Sequence, residues 1–253
     1  MSLLSSNLAY SLRVKSIKHV GQPILIWNMG KVASTSIAHS LWKTHGRRNI
    51  LTTHFMNDPA HPRSEVIYRE IVKGDGKLLP IITLTREPVS KNMSSFFQNF
   101  NRNTGSSFQD SKLSAEQLRD VFLNRFDKHD VTLSWFDENF QKFTGFNIYE
   151  QEFQKNKGYG IYEHGRFRFL FIRSEETNAT KERAVKEFLS LSDFKLEDSN
   201  VGSKKEYAQV YREFKEGLVL SDDYLSRQLD SRYARHFYTE AEIEKVRQSW
   251  RNR

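Results

Sequence analysis

The stretch Pro23-Ile24-Leu25-Ile26-Trp27-Asn28-Met29-Gly30-Lys31-Val32-Ala33-Ser34-Thr35-Ser36-Ile37 decides the fold class of this chain. Its opening apolar run reads as a buried strand. Beyond the loop, Ile37, Ala38, Leu41 and Trp42 recur at helical spacing, and Gly46 marks the stop. In a strand–turn–helix unit, the free amides of the first helical turn and the positive end of the helix dipole meet at the loop. Lys31 adds a full positive charge there, while Ser34, Thr35 and Ser36 add donors. The pattern predicts a cradle for a phosphate-like anion.

A second unit of the same kind follows. Leu79-Pro80-Ile81-Ile82-Thr83-Leu84-Thr85 reads as another buried strand, and Arg86-Glu87-Pro88 comes directly after it. Pro88 suits the first turn of a helix, where its missing amide costs nothing. Val89, Met93, Phe96, Phe97 and Phe100 then form an apolar helix face. Arg86 falls at the strand end, and Ser94 lies about two helical turns further on.

The usual nucleotide-triphosphate loop has two glycines and sets its lysine directly before a magnesium-binding hydroxyl. Here Gly30 is the single glycine, and Val32 follows the lysine. The order Lys31-x-x-Ser34-Thr35-Ser36 instead resembles the 5′-phosphosulfate loop of sulfotransferases that use 3′-phosphoadenosine 5′-phosphosulfate (PAPS). Arg86 through Phe96 resembles the segment in which those enzymes hold the 3′-phosphate with an Arg at the strand end and a Ser on the helix. Glu87 stands where the family usually has Asp, and Lys91 where it often has Arg. Phe167 through Glu176 resembles a late sheet strand ending in Arg-x-Glu. Trp135-Phe136-Asp137, Asn200 through Lys205 and His236-Phe237-Tyr238 are similar to segments of a bacterial group of capsular polysaccharide synthesis proteins, themselves sulfotransferase-like.

The resemblance implies residues 31–36 (Lys31, Val32, Ala33, Ser34, Thr35, Ser36) around the 5′ end of PAPS, Arg86 and Ser94 on its 3′-phosphate, and 3′,5′-ADP as product. It implies no metal, and the Asp and Glu residues show no cluster at ligand spacing. Lys204 and Lys205 suit either a basic flap over the nucleotide or a solvated turn.

At 253 residues the chain is long enough for one large α/β domain spanning 1–253. Strand-like runs at 23–28, 49–54, 80–85 and 167–172 alternate with helical patterns, as in a parallel sheet covered by helices. Together with the resemblance, the expected architecture is a P-loop-like three-layer α/β sandwich with a central parallel sheet. Ser114 with Gln117, Ser203 with Glu206 and Thr239 with Glu242 read as capping boxes. The aromatic stripes after Ser203 and after Thr239 read as core. Asn101 to Ser107 reads as a polar loop, either a cover for the acceptor cleft or a plain connection.

Cysteine is absent, which excludes disulfides and thiolate chemistry. No apolar run approaches a membrane span, and no secretion signal is visible, so a bacterial cytoplasm is the expected setting. The formal charge of +8 favours anionic partners such as PAPS and an acidic glycan. Basic residues are interspersed with acidic ones, and no nucleic-acid module is recognisable.

Sulfuryl transfer requires a held donor, a stabilised leaving phosphate and a base near the acceptor hydroxyl or amine. Lys31 is placed to neutralise the leaving oxygen. His54 closes a strand-like run, where open α/β sheets form their ligand crevice. An imidazole ordinarily titrates near about 6.5, which suits removal of a hydroxyl proton near neutrality. The segment resembles heparan sulfate 2-O-sulfotransferases, in which histidines after the second strand act. Asp137, Glu163 and His164 are rival bases, while His39, His45 and His61 read as surface or capping residues. Two other functions fit the chain: a small P-loop kinase, and a binder of nucleotides or polyanions without turnover.

Overall fold

The computed structural model describes residues 3–46, 49–74, 76–124, 129–197 and 208–251. In chain order its first elements are α1 (Leu3–Val20), β1 (Ile24–Trp27), α2 (Ser34–His45), β2 (Ile50–Thr53), α3 (Pro62–Ile67), β3 (Leu79–Thr85), α4 (Pro88–Gln98), α5 (Phe100–Thr104), α6 (Ala115–Leu123) and α7 (Val131–Trp135). They continue with α8 (Lys142–Thr144), β4 (Tyr159–His164), β5 (Phe167–Arg173), α9 (Asn178–Leu189), α10 (Ala208–Glu216), α11 (Asp222–Leu229), α12 (Arg232–Phe237) and α13 (Glu240–Arg251). Wider π-type turns extend α3 over Tyr68–Val72 and join α7 to α8 over Phe136–Gln141. The elements fall into two compact units, residues 1–85 with 135–199 and residues 86–134 with 200–253.

The first unit holds a five-stranded sheet in the order β2-β1-β3-β5-β4. Strands β1, β2, β3 and β5 run parallel. Every residue of β1 and β3 is buried, as expected of strands covered on both faces rather than one. The fold is therefore mixed α/β, a central sheet flanked by helices. Trp27 of β1 stacks on Phe140 at 4.5 Å, and Phe140 in turn meets Phe169 and Phe171 of β5 at 5.6 and 5.5 Å. From β1 the chain moves to β2 on one side and then to β3 on the other. That reversal opens a crevice at the strands' carboxyl ends, the usual ligand position in such sheets.

The sheet departs from the all-parallel expectation at one edge. β4 pairs antiparallel with β5, from Tyr159↔Ile172 to His164↔Phe167, across a tight turn at Gly165-Arg166. Gly165 adopts φ 56°, which lets the two strands connect without a crossover helix.

In the second unit, Phe96, Phe97, Phe122 and Phe214 interlock with ring centroids 5.0–5.8 Å apart. Phe214, Leu218, Ile243 and Trp250 are all buried, so the aromatic stripes are core. Ser114 with Gln117 and Thr239 with Glu242 form the expected caps, while Ser203 lies outside the described residues. The expected loop at 101–107 is helical over its first half. Asn103 is buried and donates to the Phe96 carbonyl at 2.8 Å, which ties α5 back onto α4. Among the described residues, no helix is long and apolar enough to cross a membrane.

Candidate functional site

The turn from β1 into α2 has an unusual backbone. Gly30, Lys31 and Ala33 all carry positive φ, at 77°, 59° and 59°. Glycine adopts this region freely, but Lys31 and Ala33 each pay about 1–2 kcal/mol of steric strain for it. Buried Asn28 braces the turn by accepting the Gly30 N–H on Oδ1 at 2.9 Å. Left-handed residues among right-handed ones aim successive N–H groups into one concavity, an anion nest. Ala33 occupies the N-cap of α2, so no side chain caps the first turn, and that turn contains no acid. Val32 is fully buried and anchors the loop from beneath, leaving only its backbone to a ligand.

His54 follows β2 directly, and its ring lies against Gly30: a Cβ built there would sit 3.7 Å from Cε1 and Nε2. The His54 Nδ1–H donates to the Asn28 carbonyl at 3.0 Å, which makes Nε2 the lone-pair nitrogen of the neutral ring. Trp135 Nε1 donates to the His54 carbonyl at 3.1 Å. Asn28 thus holds both the nest and the histidine, and the structure brings Lys31, the helix start and His54 together.

In the second unit, the Arg86 backbone is clamped by Tyr233. Its N–H donates to the phenol oxygen at 3.0 Å, and the phenol donates back to its carbonyl at 2.9 Å. Glu87 caps α4 by accepting from Val89 and Ser90 at 2.6 and 2.9 Å, so the departure from Asp leaves the helix start intact. Ser94 is half-buried on the same helix. Lys91 is only 3 % exposed. Burial, with the Arg86 charge second, pushes its pKa down to about 8. Asn92 beside it donates to the His129 carbonyl, Tyr224 Oη and Gln228 Oε1 at 3.1–3.3 Å, which fixes this face of α4.

The rival bases separate by position. Glu163 and His164 pair with Arg168 and Phe167, at the amino end of β5 and hence at the sheet edge opposite the nest. Glu163 forms an ion pair with Arg168 at 3.4 Å, and His164 packs on Phe146. Neither can reach an acceptor at the carboxyl ends. Asp137 is half-buried in the π-type turn. Lys204 and Lys205 lie outside the described residues. His39 and His61 are exposed, as expected, and His61 pairs with Asp58 at 2.8 Å. No local sequence pattern gives Tyr233 or Trp135 a role at the site. Lys91 alone carries a local signal, a lysine five residues beyond Arg86.

A family model described as "Putative capsular polysaccharide synthesis protein" matches residues 110–239, half of the chain. The chain belongs to this family. Membership points to a glycan-related role. The match includes Trp135, Tyr224 and Tyr233, and the nest, His54, Arg86 and Ser94 precede it. No curated protein and no solved structure matches the chain.

Proposed function

We propose that this chain is a sulfotransferase that moves a sulfuryl group from PAPS to a hydroxyl of a glycan, with an amine as the secondary acceptor class. The observation that carries the reading is the strained nest at Gly30–Ala33 with a lysine inside it and a tautomer-fixed histidine ring against it. Strain held in a loop of this kind is a pointer to function. A nest without acids fits a doubly charged phosphosulfate end. Bound PAPS supplies an activated sulfur whose bond to the 5′-phosphate oxygen breaks as the bond to the acceptor oxygen forms.

The chain's own residues supply the rest. The α2 amides and Ser34, Thr35 and Ser36 orient the 5′ end. Lys31 neutralises the charge that grows on the leaving phosphate oxygen, so its effect is larger in the transition state than in the bound donor. His54 Nε2 takes the acceptor proton while Nδ1 stays on the Asn28 carbonyl. Arg86 and Ser94 hold the 3′-phosphate, with Lys91 adding a second charge beside Arg86. Val32, where a kinase loop needs a hydroxyl for magnesium, argues against phosphoryl transfer.

Calorimetry tests the donor. Charge-assisted contacts to the 3′-phosphate contribute about 1.5–3 kcal/mol, so 3′,5′-ADP should bind at least about tenfold tighter than 5′-AMP. Equal affinities, or tight ATP binding that needs magnesium, would overturn the reading. Labelled PAPS with acidic and neutral oligosaccharides then tests transfer itself.

A further inference from the structure

The first unit contains a cleft of about 410 Å³ on the outer side of edge strand β2, walled by α1, α2 and α3. It lies within the size range of small-ligand sites. Tyr10 and Arg13 come from α1, Trp42 from α2, Thr52 from β2 and Arg63 from the first turn of α3. The Arg63 guanidinium lies 5.0 Å from the Tyr10 ring centroid and that of Arg13 lies 5.9 Å from it. Arg13 is tethered by donating to the Ile50 carbonyl at 3.0 Å. Arg63 is exposed and, among the described residues, has no carboxylate at ion-pair distance. The cleft therefore concentrates two guanidinium charges around two half-buried aromatic rings.

We propose that this cleft binds a carboxylate-bearing sugar residue of the acceptor glycan. A planar guanidinium matches a carboxylate in two-point geometry, which a lysine would not. The apolar face of a pyranose ring fits against Trp42 and Tyr10, whose tips remain polar. Burial raises the Tyr10 phenol pKa against the pull of both arginines, so it remains an O–H donor. The strand sets the direction. β2 ends at Thr53 and His54 follows it directly, two residues beyond Thr52 and so within about 7 Å of chain at roughly 3.3–3.6 Å per residue. A glycan seated in the cleft runs along β2 toward the proposed base. No lining residue falls within the family match at 110–239.

The inference rests on the glycan-acceptor part of the proposed function, and it is tested without turnover. Titrate the full chain with hyaluronan hexasaccharide, which carries uronic carboxylates and no sulfate, and with neutral chitohexaose. Follow the Trp42 indole N–H by NMR, identified by its loss in Trp42→Phe. Hyaluronan hexasaccharide should shift that signal saturably and bind at least about tenfold tighter than chitohexaose. Arg63→Gln should weaken it about five- to tenfold, with the melting temperature and 3′,5′-ADP affinity unchanged. Equal binding of the two sugars, indifference to Arg63→Gln, or displacement of the hexasaccharide by 3′,5′-ADP would each overturn the proposal. A chain that ignores 3′,5′-ADP but still passes the sugar test loses the donor assignment and keeps the cleft. The reverse result removes the cleft alone.

Discussion

Lys91 shows how a single side chain can be held against stability. It is almost wholly buried, the charge of Arg86 beside it has the same sign, and burial first and that charge second lower its pKa from 10.5 to about 8. Between those values the unfolded chain binds more protons than the folded one, so stability rises with pH from about 8 to 10.5. Below about 8 the fold carries a buried cation, which a bound anion would relieve. Lys91→Met should therefore raise the melting temperature at pH 7 by about 3 °C or more, and flatten the rise seen between pH 8 and 10. If Lys91 helps hold the 3′-phosphate, the same variant loses about tenfold in 3′,5′-ADP affinity at pH 7. In the wild type that affinity falls as pH climbs through 8, and calorimetry in buffers of different ionisation enthalpy should show proton uptake on binding. A variant that is more stable and binds equally well would reduce Lys91 to a packing residue.

At the scale of elements, the end of β5 depends on one glycine. Gly158, at φ 75°, accepts the Arg173 N–H on its carbonyl at 3.0 Å, and a Cβ there would drive into the Glu176 carboxylate. Glu176 holds buried Arg173 through Nε at 2.8 Å and through Nη2. Gly158→Ala combines a backbone conflict with displacement of that ion pair, so it should lower stability by about 2 kcal/mol or more, read as a melting temperature about 4–8 °C lower. The same region shows what sequence can and cannot reveal. β1, β3 and β5 were legible to within a residue because continuous apolar runs have few other uses. β4 was not, since Tyr159-Gly160-Ile161-Tyr162-Glu163-His164 is interrupted by glycine and half exposed at an edge. The strand–turn–helix unit around Lys31 and the place of His54 after β2 were legible because strand, loop and helix are local in sequence. Tyr233 and Trp135 act through partners far along the chain, Arg86 and His54, and no local pattern marks such pairs.

At the scale of the whole molecule, the proposed donor assignment has two parts: Lys31 with Ser34–Ser36 for the 5′ end, and Arg86 with Ser94 for the 3′-phosphate. A ligand that binds only the folded chain stabilises it by mass action, about 2.7 kcal/mol at a hundredfold excess over Kd. Where that stabilisation appears is informative, because amides open locally as well as globally. With 3′,5′-ADP present, hydrogen exchange should slow in the 30–37 segment and also in the 86–95 segment. With 5′-AMP the first segment should slow alone, because the 3′-phosphate is missing. Arg86→Ala should convert the 3′,5′-ADP pattern into the 5′-AMP pattern while leaving β1, β2 and α2 protected as in the free chain. Protection by 3′,5′-ADP confined to the 30–37 segment would break the two-part donor assignment, even if the nucleotide binds tightly. A +8 chain attracts any polyanion through its overall field, but that attraction weakens with salt and has no reason to respect the 3′ position. Repeating the exchange at 0.5 M salt therefore separates the two causes: the segment-specific pattern should survive, and diffuse electrostatic protection should not.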